Sequence, residues 1–274
     1  MNNKTQIASL PRQEQTKAEE KLWQLIHDKK FLNPSLKESE NAKNKPIVHS
    51  QKNGNYNILS TKKISPIQKD ILSKAGLSFF DYDAITISNL AFKVKNDYQN
   101  YIFTSQNAVR AILNTDYKLK NCFCVGEKTK LLLESNGLEV TENSKKASFL
   151  GEIVAKNYKN ESFLFICGNR RREELPAILK ENKITFEEVV VYETNLNRKK
   201  IDFAPNAILF FSPSGVESYN SENEIGDSIA FCIGDTTAKE AEKHTTNTII
   251  PAKSTIDNLL IEVLKYYRPE GFKQ

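Results

Sequence analysis

No apolar run in the 274-residue sequence approaches the roughly 20 residues that a bilayer-spanning helix needs, so a helical membrane protein is not expected. The opening residues, MNNKTQIASLPRQEQTKAEEK, lack an apolar core segment, and no secretory leader is expected. Glu14, Glu19 and Glu20 likewise argue against an organellar transit peptide. Cysteine is scarce. Cys122, Cys124, Cys167 and Cys232 sit in apolar, strand-like runs without metal-ligand spacing, which points to buried free thiols in a reducing cytoplasm. Histidine is scarcer still: His27, His49 and His244 are scattered, so neither a zinc site nor a Ser-His-Asp triad is supported. Net charge is only +5, which fits an anionic small molecule or a solvated surface. A basic helix with interleaved aromatics is missing, and nucleic acid is not an expected partner.

What is present is organised around Glu161 to Thr194, ESFLFICGNRRREELPAILKENKITFEEVVVYET. Phe163 to Cys167 is short and apolar enough for a buried strand. Gly168-Asn169 breaks it and opens a helix with Arg170, Arg171 and Arg172 in or near the first turn; Leu175, Ile178 and Leu179 give that helix an apolar face. Val189-Val190-Val191-Tyr192 closes the unit as a β-branched strand. Backbone N–H groups and guanidinium groups then share one turn, which suits a ligand with many negative charges.

Residues 1–56 differ from the rest. Gln13 to Phe31 has the spacing of an amphipathic helix, with Leu22, Leu25 and Ile26 on one face, and residues 33–57 have the polar composition of a linker. From Asn57 onward an internal repeat carries the fold. Leu72 precedes Leu179 by the same interval that separates Ser105, in Tyr101 to Val109, from Ser212, in Phe210 to Val216. Phe123-Cys124-Val125-Gly126 is matched by Phe231-Cys232-Ile233-Gly234 at almost the same interval. Three βα units in one order, then the same three again, imply duplication of a small doubly wound α/β half. Periodicity leaves two divisions open: one repeat per domain, or a chain that begins in one lobe, builds the other and returns through two extended crossings near Asp83–Ser88 and Val189–Thr194. Either leaves a cleft between α/β lobes that strand C-termini and helix N-termini would face.

The motifs FTSQNAV, CVGEKT, CGNRRREELPAIL, VVVYET, FFSPSGV and CIGDTTAKEAEKH occur in this order, followed by Pro251 and Ser254-Thr255-Ile256-Asp257 before a last helix. The series resembles the uroporphyrinogen-III synthase family from about Asn57 to Tyr267. The resemblance implies an α/β fold of two doubly wound, flavodoxin- or Rossmann-like parallel-sheet lobes, duplicated internally and joined by a two-stranded linker. It divides the chain into an extension (1–56), a discontinuous lobe (57–88 with 195–268) and a continuous one (89–194). It implies a cytoplasmic, monomeric lyase that uses no cofactor or metal. Its substrate would be the linear tetrapyrrole hydroxymethylbilane, handed over by hydroxymethylbilane synthase, with neither nucleic acid nor membrane involved. Ring closure to uroporphyrinogen III would invert ring D and release water.

Residue by residue, Tyr192 matches the family tyrosine that assists departure of the hydroxyl. Thr104, Ser105, Ser212, Ser214 and Gly215, the turn Gly168-Asn169-Arg170, and Thr236 with Thr237 are expected to donate to the eight substrate carboxylates; the serines and Thr104 are also ordinary helix N-caps. Lys62 and Lys63 replace an Arg-Pro pair of the family, which keeps a charge and loses a bidentate fork. The alternative reading is a non-catalytic protein that kept the fold and binds a tetrapyrrole or another anion.

Overall fold

A computed structural model describes residues 56–94 and 97–268; the expected helix at Gln13–Phe31 and the linker up to residue 55 lie outside the described residues. The chain runs β1 (Tyr56–Ser60), α1 (Pro66–Lys74), β2 (Leu77–Asp81), β3 (Ile85–Asn89), β4 (Asn100–Phe103), α2 (Gln106–Leu113), β5 (Asn121–Val125), α3 (Glu127–Ser135), β6 (Val140–Ser144) and α4 (Ala147–Asn157). It continues through β7 (Ser162–Gly168), α5 (Glu174–Glu181), β8 (Thr185–Leu196), β9 (Ala207–Phe210), α6 (Pro213–Asn220), β10 (Ile229–Cys232), α7 (Asp235–Ala241), β11 (Thr248–Ile249) and α8 (Ile256–Tyr267). None of the described helices is long and apolar enough to cross a membrane.

Two compact units result. The first takes the chain up to Ile85 and again from Leu196, and the second runs from Thr86 to Asn195. The first unit's sheet has the order β11-β10-β9-β1-β2, every pair parallel. The second has the order β3-β8-β7-β4-β5-β6. Its strands from β8 to β6 are parallel, whereas β3 runs against β8: Leu90 N–H donates to Val191 O and, at the other end, Asn197 N–H to Ala84 O.

Strands with both faces covered read as unbroken apolar runs, and these do. Ile58-Leu59, Ile102-Phe103, Phe163 to Cys167, Ala207 to Phe210 and Ala230 to Cys232 are each at most 2% exposed. Alternation sorts them between two faces. In the first unit Ile58, Leu209 and Phe231 pack under Leu72, Leu260 and Val263 of α1 and α8, while Leu59, Ile208 and Phe210 meet Val216 and Ala238 of α6 and α7. In the second, Phe103, Cys124 and Ile166 meet Val109 and Leu133 of α2 and α3, while Ile102, Phe123 and Phe165 meet Val154 and Leu179 of α4 and α5.

Numbering β1, β2, β9, β10 and β11 from 1 to 5 gives the sheet order 2-1-3-4-5 of flavodoxin-like folds. Numbering β7, β8, β4, β5 and β6 in the same way gives the identical order, with β3 added at the edge. The repeat and the unit therefore differ. The leading βαβ of each sequence repeat is completed by the later strands of the other repeat.

Two local expectations change. The extended crossing expected near Asp83–Ser88 starts later, as β3 at Ile85, because Asp81 at the end of β2 and Asp83 beyond it turn into the β1–α1 loop. There Asp81 accepts from Ile64 N–H (3.2 Å) and Asp83 from Lys63 N–H (3.0 Å). The arginine run precedes the helix rather than opening it: α5 starts at Glu174, with Glu173 as N-cap and Pro176 in its first turn. Arg171 is drawn away by ion pairs to Glu188 on β8 and to Glu173 (2.6 Å).

Candidate active site

In a sheet of order 2-1-3-4-5 the helices that follow strands 1 and 3 lie on opposite faces. The carboxyl ends of those two strands then border a crevice where ligands bind. These strands are β7 and β4 in the second unit, β1 and β9 in the first.

In the second unit β4 ends in Phe103-Thr104-Ser105. Ser105 is extended (φ −153°) and caps α2, its Oγ accepting from Asn107 N–H at 3.0 Å. Across the switch point β7 ends in Gly168-Asn169, and a register shift there sets Tyr192 of β8 opposite Gly168. The Tyr192 ring lies over Gly168 and carries its hydroxyl past the end of β7 to Ser105, donating to Oγ at 3.0 Å. Ser105 Oγ thus accepts twice, from Asn107 N–H and from the Tyr192 hydroxyl. Asn169 holds the backbone just after the tyrosine: its N–H donates to Tyr192 O (3.2 Å) and its Oδ1 accepts from Thr194 N–H (2.9 Å). Burial pushes the Tyr192 phenol above its ordinary value; the Ser105 hydrogen bond opposes this and neighbouring Cys167 adds to it. The phenol is therefore a weak acid that keeps its proton until something basic forms beside it.

The first unit's own switch point has a different lining. Thr61, at the end of β1 and 4% exposed, donates from both N and Oγ1 to Leu209 O (3.0 and 2.8 Å). Lys62 and Lys63 follow it and are exposed. Ser212 caps α6, accepting from Gly215 N–H at 3.1 Å, and Ser214 stands half-buried in the first turn. A Cβ on Gly215 would lie 3.4 Å from both Ser212 Oγ and Thr61 Oγ1, so the α6 backbone comes close to β1. At the end of β10, Thr236 is exposed and Thr237 is only 2% exposed. Of these two, the Thr236 hydroxyl is the one that solvent reaches.

The sequence-predicted residues therefore fall into two sets. Thr104, Ser105, Gly168, Asn169, Arg170 and Tyr192 gather at the second unit's switch point. Lys62, Ser212, Ser214 and Gly215 gather at that of the first, with Thr236 and Thr237 on the next strand end. Sequence reasoning passed over Thr61 and Asn107. The repeat carries a signal for Thr61, which precedes Gly168 by the repeat interval. Among the described residues no group of three or more His, Cys, Asp and Glu could hold a metal ion.

Fold and site together define a duplicated flavodoxin-like α/β protein with a half-buried tyrosine–serine pair at one of two switch points. The family model described as "Uroporphyrinogen-III synthase HemD" matches residues 69–261. This chain belongs to the uroporphyrinogen-III synthase family, cyclising lyases of haem biosynthesis. Among curated proteins, "Porphyrin biosynthesis protein HemD" of Ruminiclostridium josui is 27% identical over 159 residues, 52% of this chain; the match spans 31% of that relative's length. Among solved structures, uroporphyrinogen-III synthetase from Helicobacter pylori 26695 is 20% identical with a TM-score of 0.57, covering 77% of this chain and 99% of its own. A mutant uroporphyrinogen III synthase from Thermus thermophilus is 11% identical with a TM-score of 0.58, covering 78% and 99%. At these identities the two structures speak for the fold alone.

Proposed function

We propose that this chain catalyses the family's reaction, closing the linear tetrapyrrole hydroxymethylbilane to uroporphyrinogen III with inversion of ring D and loss of water. The observation that carries the reading is the Tyr192–Ser105 pair at the second unit's switch point: a phenol whose pKa burial raises, hydrogen-bonded to the serine that caps α2.

The chemistry asks little of the protein. The hydroxymethyl C–O bond breaks, and the departing hydroxide takes a proton and leaves as water. The azafulvenium left behind is attacked by the substituted α-carbon of ring D to give a spiro intermediate; the bond from that carbon to the ring C methylene then breaks and re-forms at the free α-carbon of ring D, whose proton is released. Tyr192 supplies the proton that the hydroxide takes, directly or through Ser105. Positioned proton transfer of this kind contributes typically about 10²–10⁴-fold. Holding a flexible chain near its closed conformation is the larger task. Eight carboxylates give the protein many handles for it, and Thr104, Ser105, Asn169, Arg170, Lys62, Ser212, Ser214 and Thr236 are the donors we assign. Thr237, Gly168 and Gly215 contribute through backbone and packing.

The test is to supply fresh hydroxymethylbilane and separate the oxidised uroporphyrin isomers by chromatography. Spontaneous closure gives isomer I, so the reading requires isomer III. Isomer I alone, with the tetrapyrrole still bound, would leave an anion-binding protein on the same fold. We further propose that the protein works as a cytoplasmic monomer and receives its substrate from hydroxymethylbilane synthase.

A further inference from the structure

The two switch points descend from one repeated sequence, yet the residue at the end of strand 1 differs between them. In the first unit it is Thr61, whose side chain folds onto Leu209 O and fills the space beside Gly215. In the second, one repeat interval on, it is Gly168, and the space a side chain would take holds the Tyr192 ring. A Cβ built on Gly168 runs into Tyr192 Cζ and lies 2.6 and 2.8 Å from Cε2 and Cε1. Backbone strain does not account for this glycine, because the positive-φ glycines among the described residues are Gly76, Gly126, Gly137 and Gly226. Room for the ring does. Its neighbour Asn169 fixes the backbone that leaves the tyrosine, through Tyr192 O and Thr194 N–H.

From this geometry we infer that Gly168 is a positioning residue for the reaction: it is the seat on which Tyr192 lies so that its hydroxyl reaches Ser105. The glycine acts through the tyrosine rather than by touching substrate, and Asn169 completes the seat. A methyl group at 168 displaces the ring because the ring is the mobile partner. The hydroxyl then leaves Ser105, which is distant in sequence and 3.0 Å away in space. The first unit has no such seat, so the acid function rests with the second unit alone. This inference rests on the proposed role of Tyr192, and its test separates the two.

The experiment compares Gly168→Ala, Tyr192→Phe and the double variant in the full chain, with turnover to isomer III and the 13Cζ NMR signal of Tyr192 as independent readouts. Tyr192→Phe identifies that signal by its loss. The expected result has three parts. Gly168→Ala shifts the Tyr192 signal and lowers kcat by about the same factor as Tyr192→Phe, with KM within about twofold. In the Tyr192→Phe background it lowers kcat no further, as expected of two residues acting as one unit. Stability supplies a check against simple misfolding: Gly168→Ala lowers Tm in the wild-type chain and leaves it unchanged in Tyr192→Ala, where no ring remains to clash. An unmoved Tyr192 signal in Gly168→Ala would overturn the seat, and so would a rise in KM at full kcat, which would make Gly168 a substrate contact. Full turnover by Tyr192→Phe would instead end the acid assignment, and the shifted signal would still establish the seat.

Discussion

Tyr192 and Ser105 are each commonplace side chains, and their chemistry comes from where the backbone delivers them. A phenol pushed up by burial stays protonated through the neutral range and loses its proton only above its ordinary value of 10.0. An acid catalyst must hold that proton, so kcat should be flat through neutrality and fall as pH rises through the elevated phenol pKa. Tyr192→Phe should lower kcat by about 10²-fold, the low end for a positioned acid, with KM little changed, and should abolish that alkaline limb. Steady-state rates from pH 6 to 11 check both, and an unchanged limb would place the titrating group elsewhere. The thiols make a complementary case. Burial pushes Cys122 and Cys232 up to about 12, and Cys124 and Cys167 to about 11. A thiol-specific reagent at neutral pH should leave all four unlabelled until denaturant is added.

At the scale of elements, the sequence was legible where a residue's neighbours decide its state. Unbroken apolar runs gave the buried strands, and Ser105 before α2 and Ser212 before α6 gave the caps that the hydrogen bonds display. It was illegible where a distant partner decides. The arginine run looks like a cationic helix start until Glu188 pulls Arg171 onto β8. The crossing near Asp83–Ser88 looks extended throughout until Asp83 turns, with Asp81, towards the loop before α1. Gly168 looks like a ligand turn until a ring from the following strand is laid over it. Another distant pair invites a test of its own. Gln68 of α1, 6% exposed, donates from Nε2 to Asp257 of α8 at 2.8 Å, and Asp257 is 9% exposed. Asp257→Ala leaves that amide unpaired, and the loss should be about 1–3 kcal/mol in urea unfolding. A change below a few tenths would mean that water replaces the carboxylate.

For the whole molecule, periodicity revealed two parallel sheets and concealed how the chain is shared between them. The repeat interval is the same whether each repeat folds on itself or exchanges its leading βαβ with the other. Nothing local to β1 or β7 distinguishes the cases. Both described sheets are built from Tyr56 onward, so removing residues 1–50 should leave isomer III formation within about twofold and solubility unchanged. Expression of the shortened chain and the isomer assay check this; a collapse in soluble yield would make the extension part of the folding unit.

The exchange of leading segments also sets a timetable for synthesis. The second unit is one continuous stretch, Thr86 to Asn195, and is complete once that stretch leaves the ribosome. The first unit is not. Its opening strand β1 emerges early and must wait for β9, its neighbour in the finished sheet, which is made only after the whole second unit. On chains stalled about 35 residues beyond Asn195, where the second unit has cleared the exit tunnel and β9 has not, a protease should spare the middle of the chain and cut both β1 and β2; protection of β1 at that length would show that it finds a temporary partner.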